Sequence, residues 1–139
     1  MTAPVFVDTN VLLYAVSTVP AEAAKAAAAR GILEADDLAL SVQVLQEFYV
    51  QATRPGRSGR LSHEQAALLV ESWLRFPVQE PSVGLLRGAL EIKRRHRLSY
   101  WDAAIVEAAR LLGCGTLLSE DLAHGRSYEG VKVTDPFRP

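Results

Sequence analysis

One cysteine in 139 residues is too few for an internal disulfide, so Cys114 makes a reducing, cytoplasmic setting the default. Gly113 and Gly115 flank it in an apolar turn, where it reads as a small buried apolar residue and not as a reactive thiol. Long hydrophobic runs are also missing. None approaches the ~20 residues that cross a bilayer. Asp8 cuts the apolar stretch near the N-terminus and no basic segment precedes it, so no signal peptide is expected. Charge of one sign is scarce as well: the net charge is −1, which gives no global pull toward nucleic acid. His63, His96 and His124 are scattered in loop and helix-end contexts and form no zinc pattern with Cys114. No repeat, low-complexity tract or linker breaks the chain, so residues 1–139 are expected to form one domain.

What is present suits an ordinary globular α/β domain. Hydrophobic residues make up 49% of the chain and charged residues 22%, enough apolar surface for a core that buries roughly two-thirds of the unfolded surface. Val5–Val7, Leu38–Leu40, Thr116–Leu118 and Val131–Val133 are short apolar runs that read as buried strands. Helical patterns lie between them. One starts at Asn10–Ala15, and Ala21–Leu33 is helix-forming with Gly31 as its weak point. Ser41 caps a helix with Leu45, Phe48, Tyr49 and Ala52 in register. Ser62–Gln65 matches a capping box ahead of the stripe Ala66, Leu69, Val70, Trp73 and Leu74, which Pro77 stops. Ser82 opens a helix with Val83, Leu86 and Leu90 on one face, and Ser99 opens "YWDAAIVEAARLL", closed by Gly113. Strands alternating with helices predict a largely parallel sheet.

Four acids fall where such a sheet gathers ligands, beyond the carboxyl ends of its strands. Asp8 ends the first strand, and Asp121 follows Thr116–Leu118. Glu47 and Asp102 lie in the early turns of helices that begin at the same rim. Two unit charges ~4 Å apart repel by about 4 kcal/mol at an effective dielectric near 20, so a pocket holding all four would protonate or splay without a cation. Mg2+ or Mn2+ suits all-oxygen ligation, and such a site activates water for in-line attack at phosphorus. Taken singly, each acid has a plainer reading. Asp102, three residues after Ser99, completes a capping box; Glu47 is a solvated helix residue; Asp121 is a turn residue. Asp8 resists this, because a core strand gains little from ending in a carboxylate.

Basic residues cluster twice. Arg54, Arg57 and Arg60 lie in the loop "TRPGRSGR", and Lys93, Arg94, Arg95 and Arg97 form a dense run. Either cluster can contact phosphates or simply be solvated. Tyr100 and Trp101 fit core anchors of a helix start better than base-stacking residues.

The ordered set "VDTNVLLYA", "LSVQVLQEFYV", "LSYWDAAIVEAA" and "TLLSEDLAHG" resembles the four acid-bearing segments of PIN-domain proteins, over nearly the whole chain. The resemblance implies a three-layer α/β/α fold with a mostly parallel central sheet, and endoribonuclease activity dependent on Mg2+ or Mn2+. It carries the metal-binding acids onto Asp8, Glu47, Asp102 and Asp121, and polar site-ordering positions onto Asn10 and Ser119; Glu120 is expected to be peripheral. It further implies that Asp8 and Asp121 hold a metal with Asp102 nearby, and that Glu47 binds metal or orients the attacking water. The 3′-oxygen leaves without using the 2′-hydroxyl. Small PIN proteins of this form are similar to VapC toxins, which implies a homodimer and a small antitoxin that fills the acidic groove. DNA then enters only through the antitoxin. Two rival readings are a phosphohydrolase with Asp8 as covalent nucleophile, although Asn10 stands where a second acid is usual, and a non-catalytic RNA- or protein-binding module.

Overall fold

A computed structural model describes residues 3–139. Strand β1 (Val5–Val7) runs into helix α1 (Thr9–Ala15), and a 3-10 turn (Pro20–Glu22) leads to α2 (Ala23–Leu33). Strand β2 (Leu38–Ser41) precedes α3 (Val42–Ala52) and α4 (His63–Trp73). Strand β3 (Val78–Gln79) then leads to the pair α5 (Val83–His96) and α6 (Tyr100–Leu111). Strands β4 (Thr116–Leu118), β5 (Ser127–Tyr128) and β6 (Val131–Thr134) complete the chain.

The strands form a six-stranded sheet in the order β3-β2-β1-β4-β6-β5. Every pairing is parallel except β5 with β6. Two helical groups flank it: α1 packs on α2 and α3, α3 on α4, and α5 on α6, with α6 lying across β2, β3, β4 and β6. Strand β2, "LALS", is buried at all four positions, as a central parallel strand covered on both faces must be. Phe6, Val7, Leu12, Leu40, Phe48 and Leu117 fill the core without solvent exposure. Among the described residues, no helix is long and apolar enough to cross a membrane.

The expected caps form. Ser41, Ser82 and Ser99 each accept from the third residue of their helix, and Ser62 with Gln65 makes a full capping box. One expectation needs correction, and two features were not foreseen. The apolar face Val83, Leu86 and Leu90 of α5 is exposed; Leu85, Ala89 and Ile92 face inward instead, because Gly88 and Ala89 let α6 approach closely. Trp101 is no core anchor: it is 64% exposed, while Tyr100 is half-buried. Strands β3 and β5 went unforeseen. Each has two residues, and β5 turns into β6 through Glu129 and Gly130, both at positive φ, the geometry of a tight hairpin.

Candidate active site

The strand order reverses at β1. The chain steps outward from β1 to β2 and β3, then returns to place β4 on the other side of β1. A parallel sheet opens a crevice at such a reversal, at the carboxyl ends of the two strands. Asp8 follows β1 and Ser119–Asp121 follows β4, so both lie at this switch point.

Asp8 is 6% exposed. Its Oδ1 accepts from the Thr9 N–H at 2.7 Å, which caps α1, and its Oδ2 accepts from the Ser119 hydroxyl at 2.7 Å. Ser119 Oγ in turn accepts from the Asp121 N–H at 3.1 Å, so one buried serine connects two of the acids. Asn10 spans the same crevice: its Nδ2 donates to Asp121 Oδ2, and its Oδ1 accepts from the Glu120 N–H, each at 3.2 Å. Both polar residues singled out in the sequence thus tie the start of α1 to the loop after β4.

Glu47, on α3, is held at both oxygens. The Thr9 hydroxyl donates to Oε2 at 2.9 Å and the Gln43 amide to Oε1 at 2.8 Å. Gln43 Nε2 also donates to the Trp101 carbonyl at 3.2 Å, which ties α3 to the start of α6, where Asp102 sits. Thr9 and Gln43 were not read from the sequence as site residues. The i,i+4 spacing of Gln43 and Glu47 on a helix was the available signal.

The acids share one electrostatic field. Burial pushes Asp8 up to about 6, against the hydrogen bonds of Ser119 and Thr9, and the charges of Asp121 and Glu47 push it further. Asp102 is raised first by burial, opposed by its hydrogen bond to Ser99, and again raised by Asp121 and Glu47. No arginine or lysine enters either balance. Among the described residues, no three His, Cys, Asp or Glu side chains lie close enough together to hold a metal ion. The carboxylates lie within reach of one another's charge without forming a closed coordination shell. Their donor chemistry, all carboxylate oxygen, fits a hard divalent cation. Asp102 and Glu47 are part-exposed and Asp121 is exposed, which leaves them room to rotate, whereas Asp8 is fixed.

Glu120 turns away from this group. Its carboxylate accepts from the Tyr14 hydroxyl and from Lys25 Nζ, which anchors the β4 loop to α1 and α2. Burial lifts the Glu120 carboxyl, but these two bonds hold it below its usual range. Arg94, Arg95 and Arg60 have partners other than the four acids. Arg94 pairs with Glu91, and Arg95 with Glu91 and Glu129. Arg60 Nε donates to the Thr53 carbonyl, and Arg54 is exposed. Cys114 is buried and its thiol is pushed up to about 11, which keeps it protonated.

Solved structures share this architecture. A toxin–antitoxin complex from Klebsiella pneumoniae is similar with a TM-score of 0.72 and 19% identity, covering 99% of this chain and 100% of that one. A DNA-bound VapBC from Salmonella typhimurium has a TM-score of 0.68 at 17% identity, covering 97% and 99%. VapC20 of Mycobacterium tuberculosis, described as a sarcin-ricin loop cleaving toxin, has a TM-score of 0.63 at 20% identity, covering 84% and 91%. At these identities the likeness is one of fold. No match was found among curated proteins. The sequence model of the PIN domain matches residues 5–128. That span takes in every acid at the rim, and the chain belongs to the PIN domain family.

Proposed function

We propose that the chain is a Mg2+- or Mn2+-dependent endoribonuclease, acting as the VapC-type toxin of a toxin–antitoxin pair. The observation that carries the reading is geometric: Asp8 and Asp121 are tied together through Ser119 and Asn10 at the switch point, and Glu47 is tied to Asp8's neighbour Thr9, with neutral donors around all three. Asp8, Asp121, Asp102 and Glu47 would hold the ion. When bound, it would supply a deprotonated water for attack at phosphorus and neutralise the charge that develops there.

The chain's own residues do the positioning. Ser119 and Thr9 fix Asp8 in one rotamer, Asn10 holds Asp121, and Thr9 with Gln43 holds Glu47. A set held this way loses little freedom when it closes. Both Asp8 oxygens are engaged and Asn10 stands two residues on, which supports this reading over a phosphohydrolase with Asp8 as nucleophile. Arg54, Arg57 and Arg60 are the better candidates to grip the RNA backbone, since Arg94 and Arg95 would first have to release Glu91 and Glu129.

The similar structures include toxin–antitoxin complexes and a VapBC bound to DNA. They support an antitoxin as partner, in an assembly that meets DNA. That DNA is met only through the antitoxin, that the toxin is a homodimer and that it acts in the cytoplasm are parts of the same proposal. The test is cleavage of transfer and ribosomal RNA fragments by purified protein with Mg2+, Mn2+ or EDTA. Cleavage that needs the cation, and is lost in Asp8→Asn or Asp102→Asn while unfolding stays cooperative, supports the reading. Full activity in both variants removes it.

A further inference from the structure

Beside the acids, on the same edge of the sheet, a cavity of about 300 Å³ opens over the ends of β2 and β3. Its volume is at the lower end of small-ligand sites. Tyr100 and Trp101 wall it on one side, and Gln43, Gln46 and Gln79 bring amides to it. No charged side chain lines it. A second cavity, of about 310 Å³, is lined by Glu47 together with Trp101, Gln43 and Gln46. The two cavities therefore meet across the indole and the two glutamines. One of them carries an acid of the rim, and the other is neutral.

We propose that the neutral cavity is a subsite for one nucleobase of an unpaired RNA strand, next to the phosphate that the acids act on. This rests on the nuclease reading for its substrate class. A base has an apolar, stackable face and an edge of hydrogen-bond donors and acceptors. Aromatic rings take the face, and amides, each with an acceptor oxygen and a donor NH2, take the edge. Phosphate would need a cation, which this cavity lacks. Trp101 is 64% exposed, whereas Trp73 is 4% exposed in the core, so the indole is held at the mouth with a large apolar surface uncovered. Gln43 fixes the geometry between the two cavities, since one amide nitrogen binds both Glu47 and the Trp101 carbonyl. The placement follows from topology. The ends of β2 and β3 lie beside the switch point, so a strand running along the sheet edge meets the acids and this cavity in succession.

The experiment follows tryptophan emission of Asp8→Asn protein titrated with a short single-stranded RNA of mixed sequence in Mg2+. It is paired with cleavage kinetics of Trp101→Ala, Trp101→Phe and Gln79→Ala made in the otherwise unaltered chain. Saturable quenching is expected, and it should vanish when Trp101→Ala is added. Trp101→Ala should raise KM by about ten- to a hundredfold with kcat little changed, and Trp101→Phe should recover most of the loss. Gln79→Ala should relax the base preference beside the cut. Trp101 is exposed, so its variants should melt like the parent. Quenching without cleavage in any variant keeps the subsite and sinks the nuclease reading. Cleavage with no quenching and an unchanged KM does the reverse. Neither response overturns both. Emission that follows protein concentration and ignores RNA assigns the indole to a protein contact and overturns the subsite.

Discussion

On α5, α6 and the β5–β6 turn, Glu91, Glu107 and Glu129 each meet a cation, whereas at the carboxyl rim of the sheet Asp8, Glu47 and Asp121 meet neutral donors. Glu91 is held below its usual range by the hydrogen bond from Arg94, and Glu129 by those from His96 and Arg95. Glu107 is only 2% exposed, yet Arg110 grips both its oxygens at 2.6 and 2.9 Å. At the rim, Asp8 and Asp102 are pushed the other way. The same kind of side chain thus sits against a cation in one region and among neutral donors in the other. What separates them is whether the chain supplies the countercharge itself. Lys25 makes the point beside the rim, since it pairs with Glu120, the neighbour of Asp121 whose carboxylate turns away from the group.

The largest effect is expected at Asp8. Asp8→Asn removes the least replaceable carboxylate, and cation-dependent RNA cleavage should fall by about a thousandfold or more, several kcal/mol of barrier. A variant that cleaves at the parent rate makes the rim no more than a set of helix caps.

Stability against pH separates the two regions next. Asp8 has an ordinary value of 3.8 and a folded value of about 6, so the folded state holds its proton more tightly than the unfolded state does. Its contribution is fully present below about pH 4, is lost as pH rises through 6, and stays lost above that. Chelator-treated protein should therefore gain up to about 3 kcal/mol from Asp8 between pH 7 and pH 4, at about 1.4 kcal/mol per pH unit between the two values. Glu91, Glu129 and Glu120 act in the opposite sense, since their lowered values give stability that is lost on acidification. Denaturant melts of the parent and Asp8→Asn at both pH values isolate the Asp8 share. Equal pH slopes in the two proteins would contradict the shift.

The paired region should respond to packing and ignore cations. A Cβ at Gly88 would lie 1.8 Å from Glu107 Oε2, so Gly88→Ala must displace the buried carboxylate from Arg110. The expected loss is about 2 kcal/mol in a urea melt, with the Mg2+ dependence of cleavage unaltered. The smallest effect is at the surface. Arg94→Ala breaks an exposed pair with Glu91 and should change stability by less than about 0.5 kcal/mol. If it also lowers RNA affinity at low salt, Arg94 trades Glu91 for phosphate, and the two regions are less separate than their geometry implies.

Much of this was legible in the sequence because it is local. Ser41, Ser62, Ser82 and Ser99 announced four helix starts, and the run Val5–Val7 ended in Asp8 just where the strand does. Shorter or context-dependent features were not legible. Val78–Gln79 is two half-buried residues between prolines, with no period to read. The stripe Val83, Leu86 and Leu90 has helical spacing, but so does Leu85, Ala89 and Ile92, and hydropathy favours the wrong face. Glycine and alanine win because α6 comes close there. Trp101 misled for a related reason, since size argues for burial while its position at the first turn of α6 faces the opening.

The sequence by itself determined the helices, four of the six strands, the serine caps and the places of the four acids at element ends, because caps and apolar periods act within a few residues of the chain. Only the tertiary structure decided which acids would feel one another and which would find an arginine. Strand order fixed that: returning β4 to the far side of β1 sets Asp121 beside Asp8, across more than a hundred residues of chain, and charge interactions depend on that distance in space and not on separation in sequence.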